Sequence, residues 1–317
     1  QCNSQNYILA IEKPFLDLQF MVNGSSGPEA SAQAGDFSDG KISFANNLET
    51  KITDVEITAK FSGNAFDVAS VRADEGFYDS THQTIIWNSE TKPELGSVDP
   101  RDRDELDFEF KPIALSGNLI KNPEINIEVS VRGRQPSLGN NFLDIENAVK
   151  KKIKFNTSMQ ITGHALHYSG PFQNSGPIPP KPGQPTTYTV VLSVANTLNK
   201  VSGAKVRTVL PLYVDWIDKV SPTGQSVTYN PSTREIIWDI GNVDSGVGNS
   251  TSPRQVNFQV RLNPSSSQSG TIPNLILDAV LTGKDSFTGI DITRNIQPIN
   301  TRLNRDSNYN PQNDKVE

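Results

Sequence analysis

The residues best suited to chemistry lie in "SVDPRDRDELDFEFKP", which gathers Asp99, Asp102, Asp104, Glu105, Asp107 and Glu109. Carboxylates at such short spacing ahead of a strand are a donor set for Ca²⁺, which takes about six to eight oxygens. Arg101 and Arg103 interleave the acids and can neutralise them, and alternation places Asp107 and Glu109 on the solvent side of their strand. A later, equivalent stretch, "VDSGVGNSTSPRQ", keeps a single acid. A solvated loop is the expectation for Asp99–Asp107, with calcium as the competing metal reading.

His164 and His167 stand three apart in "GHALHY". On a strand that spacing sends them to opposite faces, so they cannot chelate one ion, and His82 is the only other imidazole. Paired acids for glycoside hydrolysis have no aromatic groove beside them. The nucleophile-elbow pattern G-x-S-x-G does not occur, and "GPIPPKPG" is too proline-rich to cradle a phosphate. No residue is assigned a catalytic or cofactor-binding role, and no enzyme activity or cofactor is expected. Asn23, Asn156 and Asn249 head glycosylation sequons that arise readily by chance in a chain so rich in Ser and Asn. A Lys–Asn crosslink needs a buried lysine, and no lysine stands at a clearly inward position in the pattern. The basic run "AVKKKIKF" (Ala148 to Phe155) reads as the solvated start of a strand.

The elements that must position these side chains are written twice. "GKISFANNLETKITDVEITAKF" and "THQTIIWNSETKPEL" in the first half answer "TYTVVLSVANTLNKVSGAKVRTVLP" and "REIIWDIGNV" in the second. Leu48 corresponds to Leu198, Trp87 to Trp238 and Pro112 to Pro264, with an offset that barely drifts. Repetition at that length signals two domains of one kind. Within each copy the period is two. Tyr188, Val190, Leu192 and Val194 share a face, and Val256, Phe258, Val260 and Leu262 alternate with Asn257, Gln259 and Arg261. Turn chemistry separates the runs. Only "NFLDIENAVKKK" (Asn141 to Lys152) fits either a short helix or a strand pair.

These patterns predict an all-β chain of two tandem immunoglobulin-like Greek-key β-sandwiches with a proline-rich junction, "SGPIPPKPGQP". In each "IIW" the first Ile and the Trp face the space between sheets. The expected organisation is a flexible segment over 1–13, sandwiches over 14–155 and 156–303, and a flexible tail over 304–317.

Composition narrows the function. Of 317 residues, 35% are hydrophobic, and a net charge of −6 opposes a nucleic-acid partner, which calls for a basic face. Cys2 is the single cysteine, so no internal disulfide framework exists. No apolar run is long enough to span a bilayer. The initial Gln suggests a processed piece, with any anchor outside this chain.

The stretch "NSGPIPPKPGQPTTYTVVLSVANTLNKVSGAKVRTVLPLYVDWIDKVSPTGQSVTYNPSTREIIWDIGNV" resembles the DUF11-type Ig-like repeat modules of multi-domain surface proteins of candidate-phyla-radiation (Patescibacteria) bacteria. "FDVASVRADEGFYDSTHQTIIWNSETKPELGSVDP" resembles the preceding sandwich of the same proteins, and the likeness extends over Pro14 to Leu303. The resemblance implies an exported, extracellular cell-surface protein and offers no catalytic residues. The expected function is a non-catalytic stalk, spacer or scaffold. The alternatives are a self-assembling subunit of a surface layer or filament, with "QCNSQNYILAI" and the tail exchanging between copies, and an adhesin binding a glycan or protein through its loops. Expected partners are copies of itself or other surface proteins, with no nucleic acid, and a membrane only through an outside anchor.

Overall fold

A computed structural model describes residues 15–114, 120–137 and 141–317. The expected N-terminal segment and Cys2 lie outside them. The chain folds as two compact units that meet between Phe155 and Asn156.

The first unit contains β1 (Leu16–Val22), β2 (Glu29–Gln33), β3 (Ser38–Asn46), β4 (Ile52–Ser62), β5 (Arg72–Ala73) and β6 (Phe77–Asp79). There follow β7 (Thr84–Trp87), β8 (Ser97–Val98), β9 (Arg103–Phe110), β10 (Glu124–Pro136) and β11 (Phe142–Asn156). One sheet has the order β1-β3-β9-β5, and the other β2-β11-β10-β4-β7-β6, with β8 also on β4. The stretch that fits helix or strand is strand throughout. Along β11 the inward positions Ile145, Ile153 and Phe155 supply an apolar row at even spacing.

The second unit contains β12 (Met159–Leu166), β13 (Thr186–Asn196), β14 (Val201–Val209), β15 (Val214–Ser221), β16 (Ser226–Asn230) and β17 (Glu235–Val243). It continues through β18 (Arg254–Leu262), β19 (Asn274–Ile276), β20 (Ala279–Asp285), β21 (Asp291–Ile296) and β22 (Ile299–Asn300). Its sheets have the orders β12-β13-β18-β15 and β16-β17-β14-β20-β21, with β19 and β22 forming a small ribbon. The four-strand order β1-β3-β9-β5 recurs as β12-β13-β18-β15, and β6-β7-β4-β10-β11 recurs as β16-β17-β14-β20-β21, while β2, β8 and the β19–β22 ribbon have no counterpart. Trp87 lies opposite Ile57, which lies opposite Val131, and Trp238 stands in the same relation to Val206 and Leu281. Both units are immunoglobulin-like β-sandwiches.

The tryptophans explain why "IIW" recurs. Ile85 and Trp87, and likewise Ile236 and Trp238, are buried on one face of their strands, while Ile86 and Ile237 point the other way and stay half-exposed. Burial of such a ring stabilises its unit by about 2–3 kcal/mol. The Trp87 indole donates to the Asp74 carbonyl at 2.9 Å and packs against Gly76, where a Cβ would come within 2.5 Å of the ring nitrogen. Around it Phe61 stacks on Phe66 at 4.7 Å and meets Phe108 edge-on at 5.8 Å.

Two expectations change. The proline-rich stretch lies inside the second unit, between β12 and β13. Its neighbours Gln173 and Asn174 cross the outer face of the β13–β18 pair, where Gln259 donates to the Gln173 carbonyl at 3.1 Å and to Asn174 Oδ1 at 2.9 Å. Asn174 in turn donates to Thr189 Oγ1 at 3.1 Å. The predicted solvent side of β18 is therefore covered in part: Asn257 and Gln259 are buried, and Arg261 stays exposed. The polar stretch 304–317, expected to be a flexible tail, is instead packed on the second unit, with Asp306, Asp314 and Val316 buried. Its buried acids have partners, which is what the polarity of the stretch concealed.

Candidate functional site

The acidic run forms β9 and the loop before it, and its carboxylates disperse instead of converging. Asp99 pairs with Lys51 at 2.8 Å, Asp104 with Lys92 at 3.2 Å, and Glu105 with Lys41 at 2.9 Å. Lys41 also reaches Asp107 at 3.7 Å, and Arg72 reaches Glu109 at the same distance. Arg101 turns away to Glu49 at 3.0 Å, and Asp102 is exposed. Among the described residues no three His, Cys, Asp or Glu side chains come together as a metal site. The outer face of β1-β3-β9-β5 does hold a shallow cleft of about 590 Å³, lined by Met21, Asp39, Lys41, Arg72, Asp107 and Glu109. Its cations are already engaged by its own acids.

The histidines are also separated. His82 Nδ1 sits 2.5 Å from Asp79 Oδ2 on an exposed turn, and that hydrogen bond holds the Asp79 carboxyl below its ordinary range. His167 Nδ1 contacts the Thr187 carbonyl at 2.9 Å. His164 is half-buried, and desolvation followed by the charge of Arg305 lowers its pKa. Asn23 and Asn249 are exposed, and Asn156 is half-buried. Asn23 and Gly24 form the two-residue turn between Val22 and Ser25, with φ of 48° and 75°.

Three buried polar arrangements escaped the sequence reading. The first occurs in both units. Asn46, wholly buried, donates to the carbonyls of Thr50, Val98 and Asp99 at 2.9, 3.2 and 3.1 Å, and its Oδ1 accepts from Leu48 N. Asn196 likewise donates to Asn199, Val243 and Asp244 at 2.7, 3.2 and 3.0 Å, and its Oδ1 accepts from Thr157 Oγ1. Each asparagine ties the end of its strand to two loops. The duplicated "NNLE" and "NTLN" were the available signal.

The second is Lys151, only 3% exposed, which corrects the statement that no lysine faces inward. Its Nζ donates to the carbonyls of Ser25 and Gly27 at 2.7 and 2.5 Å and lies 5.7 Å from the Phe20 ring centre. Burial lowers its pKa. Lys150, Lys152 and Lys154 point outward to Glu128, Glu124 and Glu29. The alternation of Ile153 and Phe155 marks Lys151 as the inward member of the run. The third is Asp285, fully buried, which accepts from Thr157 N, Asn199 Nδ2, Phe287 N and Thr288 N at 2.9 to 3.2 Å. A carboxylate so saturated closes loops; no lone pair is left to take a substrate proton.

No protein-family model matches the sequence, and no curated protein matches it. Among solved structures the chain is similar to the Bacillus cereus major pilin subunit BcpA, at 10% identity over 95% of this chain and 68% of that one, with a TM-score of 0.31. It is also similar to a cohesin module of a Clostridium perfringens family 33 glycoside hydrolase, at 13% identity over 45% and 98% of the two chains, TM-score 0.27. A PapD-like domain of human CEP192 matches at 10% identity over 49% and 97%, TM-score 0.23.

Proposed function

We propose that this chain is a non-catalytic structural module, a stalk or scaffold built from repeated sandwiches and displayed outside the cell. One observation carries the reading. What the chain duplicates is the core: sheet order, buried tryptophan and buried asparagine recur in both units. The acidic run is not repeated, and its charges are spent on local ion pairs. A repeated core with unrepeated surface chemistry suits a part whose task is to fold firmly and hold a position. The resemblance to Patescibacterial surface modules supports placement at a cell surface, and no helix among the described residues is long and apolar enough to cross a membrane. Antibodies raised against the purified chain test this reading on cells that produce it. Labelling of intact, unpermeabilised cells is expected, and label that appears only after lysis overturns the proposal.

A self-assembling subunit is the second reading. The packing of residues 304–317 favours it, because a short segment held by loops is the kind of element that copies can trade.

A further inference from the structure

Residues 304–317 cross the second unit as a strap with three buried anchors and exposed chain between them. At the first anchor Asp306 accepts from His167 N, Tyr168 N and Ser169 Oγ at 2.5, 2.8 and 2.6 Å. At the second, Asp314 is buried, and its carbonyl accepts from Thr301 Oγ1 at 2.5 Å. At the third, Val316 is buried and bridges Ser269 in parallel. Its carbonyl accepts from Gly270 N at 2.8 Å and its N–H donates to Thr271 O at 3.0 Å. Beside it Glu317 donates its N–H to the Pro180 carbonyl at 2.9 Å and pairs with Lys181 at 2.8 Å. One wall of this groove is thus the proline-rich stretch, and the other is the loop at Ser269–Thr271.

We propose that this groove is a peptide-docking site and that the strap is exchangeable, so that residues 304–317 of a second copy of this chain occupy it. The anchors bind main chain and short side chains, and an identical segment arriving from another copy satisfies every one of them. The strap's first two residues, Asn304 and Arg305, are exposed and lead from the unit to the first anchor. A swap therefore preserves each contact and changes only which chain supplies it, the condition under which exchange costs little beyond association entropy. The short strap has few buried side chains, so it opens well before its unit unfolds. Strap exchange does not rest on the surface-scaffold reading, because it is measured on the purified chain alone.

The test uses a fluorescent peptide of residues 304–317 and the full chain carrying Ser269→Cys and Val316→Cys, with Cys2→Ser to remove the native thiol. Oxidation ties the strap down across the parallel bridge, and reduction frees it. The reduced chain is expected to take up the peptide saturably, with the oxidised chain weaker by about tenfold or more. A peptide with Val316→Asp should lose affinity by a similar factor. Sedimentation of the unaltered chain should show association that rises with concentration, which the oxidised variant lacks. Equal uptake by the oxidised and reduced chains overturns the proposal, as does a folded reduced chain that takes up no peptide. Should the cysteine pair fail to fold, the full chain with Val316→Asp replaces it. It should bind the unaltered peptide, and failure of that folded variant to do so is equally decisive.

Discussion

Asn46 and Asn196 show how much a single buried amide can organise. Each donates to three backbone carbonyls, in surroundings where an unmet buried polar group costs about 1–3 kcal/mol. Asn196→Ala should therefore destabilise the second unit by about 3 kcal/mol in a urea titration, and Asn46→Ala the first by a similar amount. Tyr188 is the opposite case. Its hydroxyl is buried with no hydrogen-bond partner, and burial pushes its pKa well above the ordinary phenol range. Tyr188→Phe should raise the unfolding midpoint, with a gain of about 1 kcal/mol. At this scale the sequence was partly legible. Period-two alternation placed Trp87, Trp238 and the apolar rows correctly. It could not distinguish a buried polar residue from a solvated one, because Asn46, Lys151 and Asp285 each have partners distant in the chain, at Val98 and Asp99, Ser25 and Gly27, and Thr157 and Asn199.

The strap is the element whose behaviour depends most on charge. Burial works to raise the Asp306 pKa, but the hydrogen bonds from Ser169, His167 and Tyr168 outweigh it and hold the carboxyl below its ordinary range. A depressed acid stabilises the fold above its unfolded pKa, and that contribution vanishes as pH falls through the folded value. Asp314 has the reverse sign. Burial raises it more than Tyr309 at 3.2 Å and Arg302 at 4.0 Å lower it, so its charged form costs stability at neutral pH. That cost is relieved as pH falls through the raised value. Asp306→Asn should accordingly speed hydrogen exchange at the His167 and Tyr168 amides by about tenfold or more at neutral pH. Asp314→Asn should slow exchange at Gly270 and Val316, and the benefit should shrink as the solution is acidified. The strap was illegible beforehand because "NRDSNYNPQNDKVE" has no period. It is ordered by individual contacts to distant loops, which leave no pattern in composition. The covered face of β18 was hidden for the same reason, since the lid comes from a non-repetitive stretch.

At the scale of the whole molecule, duplication is the most informative feature, and it was visible from the outset. Two copies of one strand grammar predicted two sandwiches, and nine strands of each unit share one order, four in one sheet and five in the other. The proline-rich stretch misled as a junction because proline marks an interrupted ladder without saying whether the interruption lies between domains or within one. The central claim is that this chain consists of two sandwiches, each with its own core. Stretching single molecules from their ends tests it most directly. At roughly 0.35 nm per extended residue, two separate unfolding events are expected, each releasing on the order of 50 nm of chain. Trp238→Ala should lower the force of one event and leave the other unchanged. A single event that releases the whole chain, or a substitution that weakens both events equally, would contradict the account.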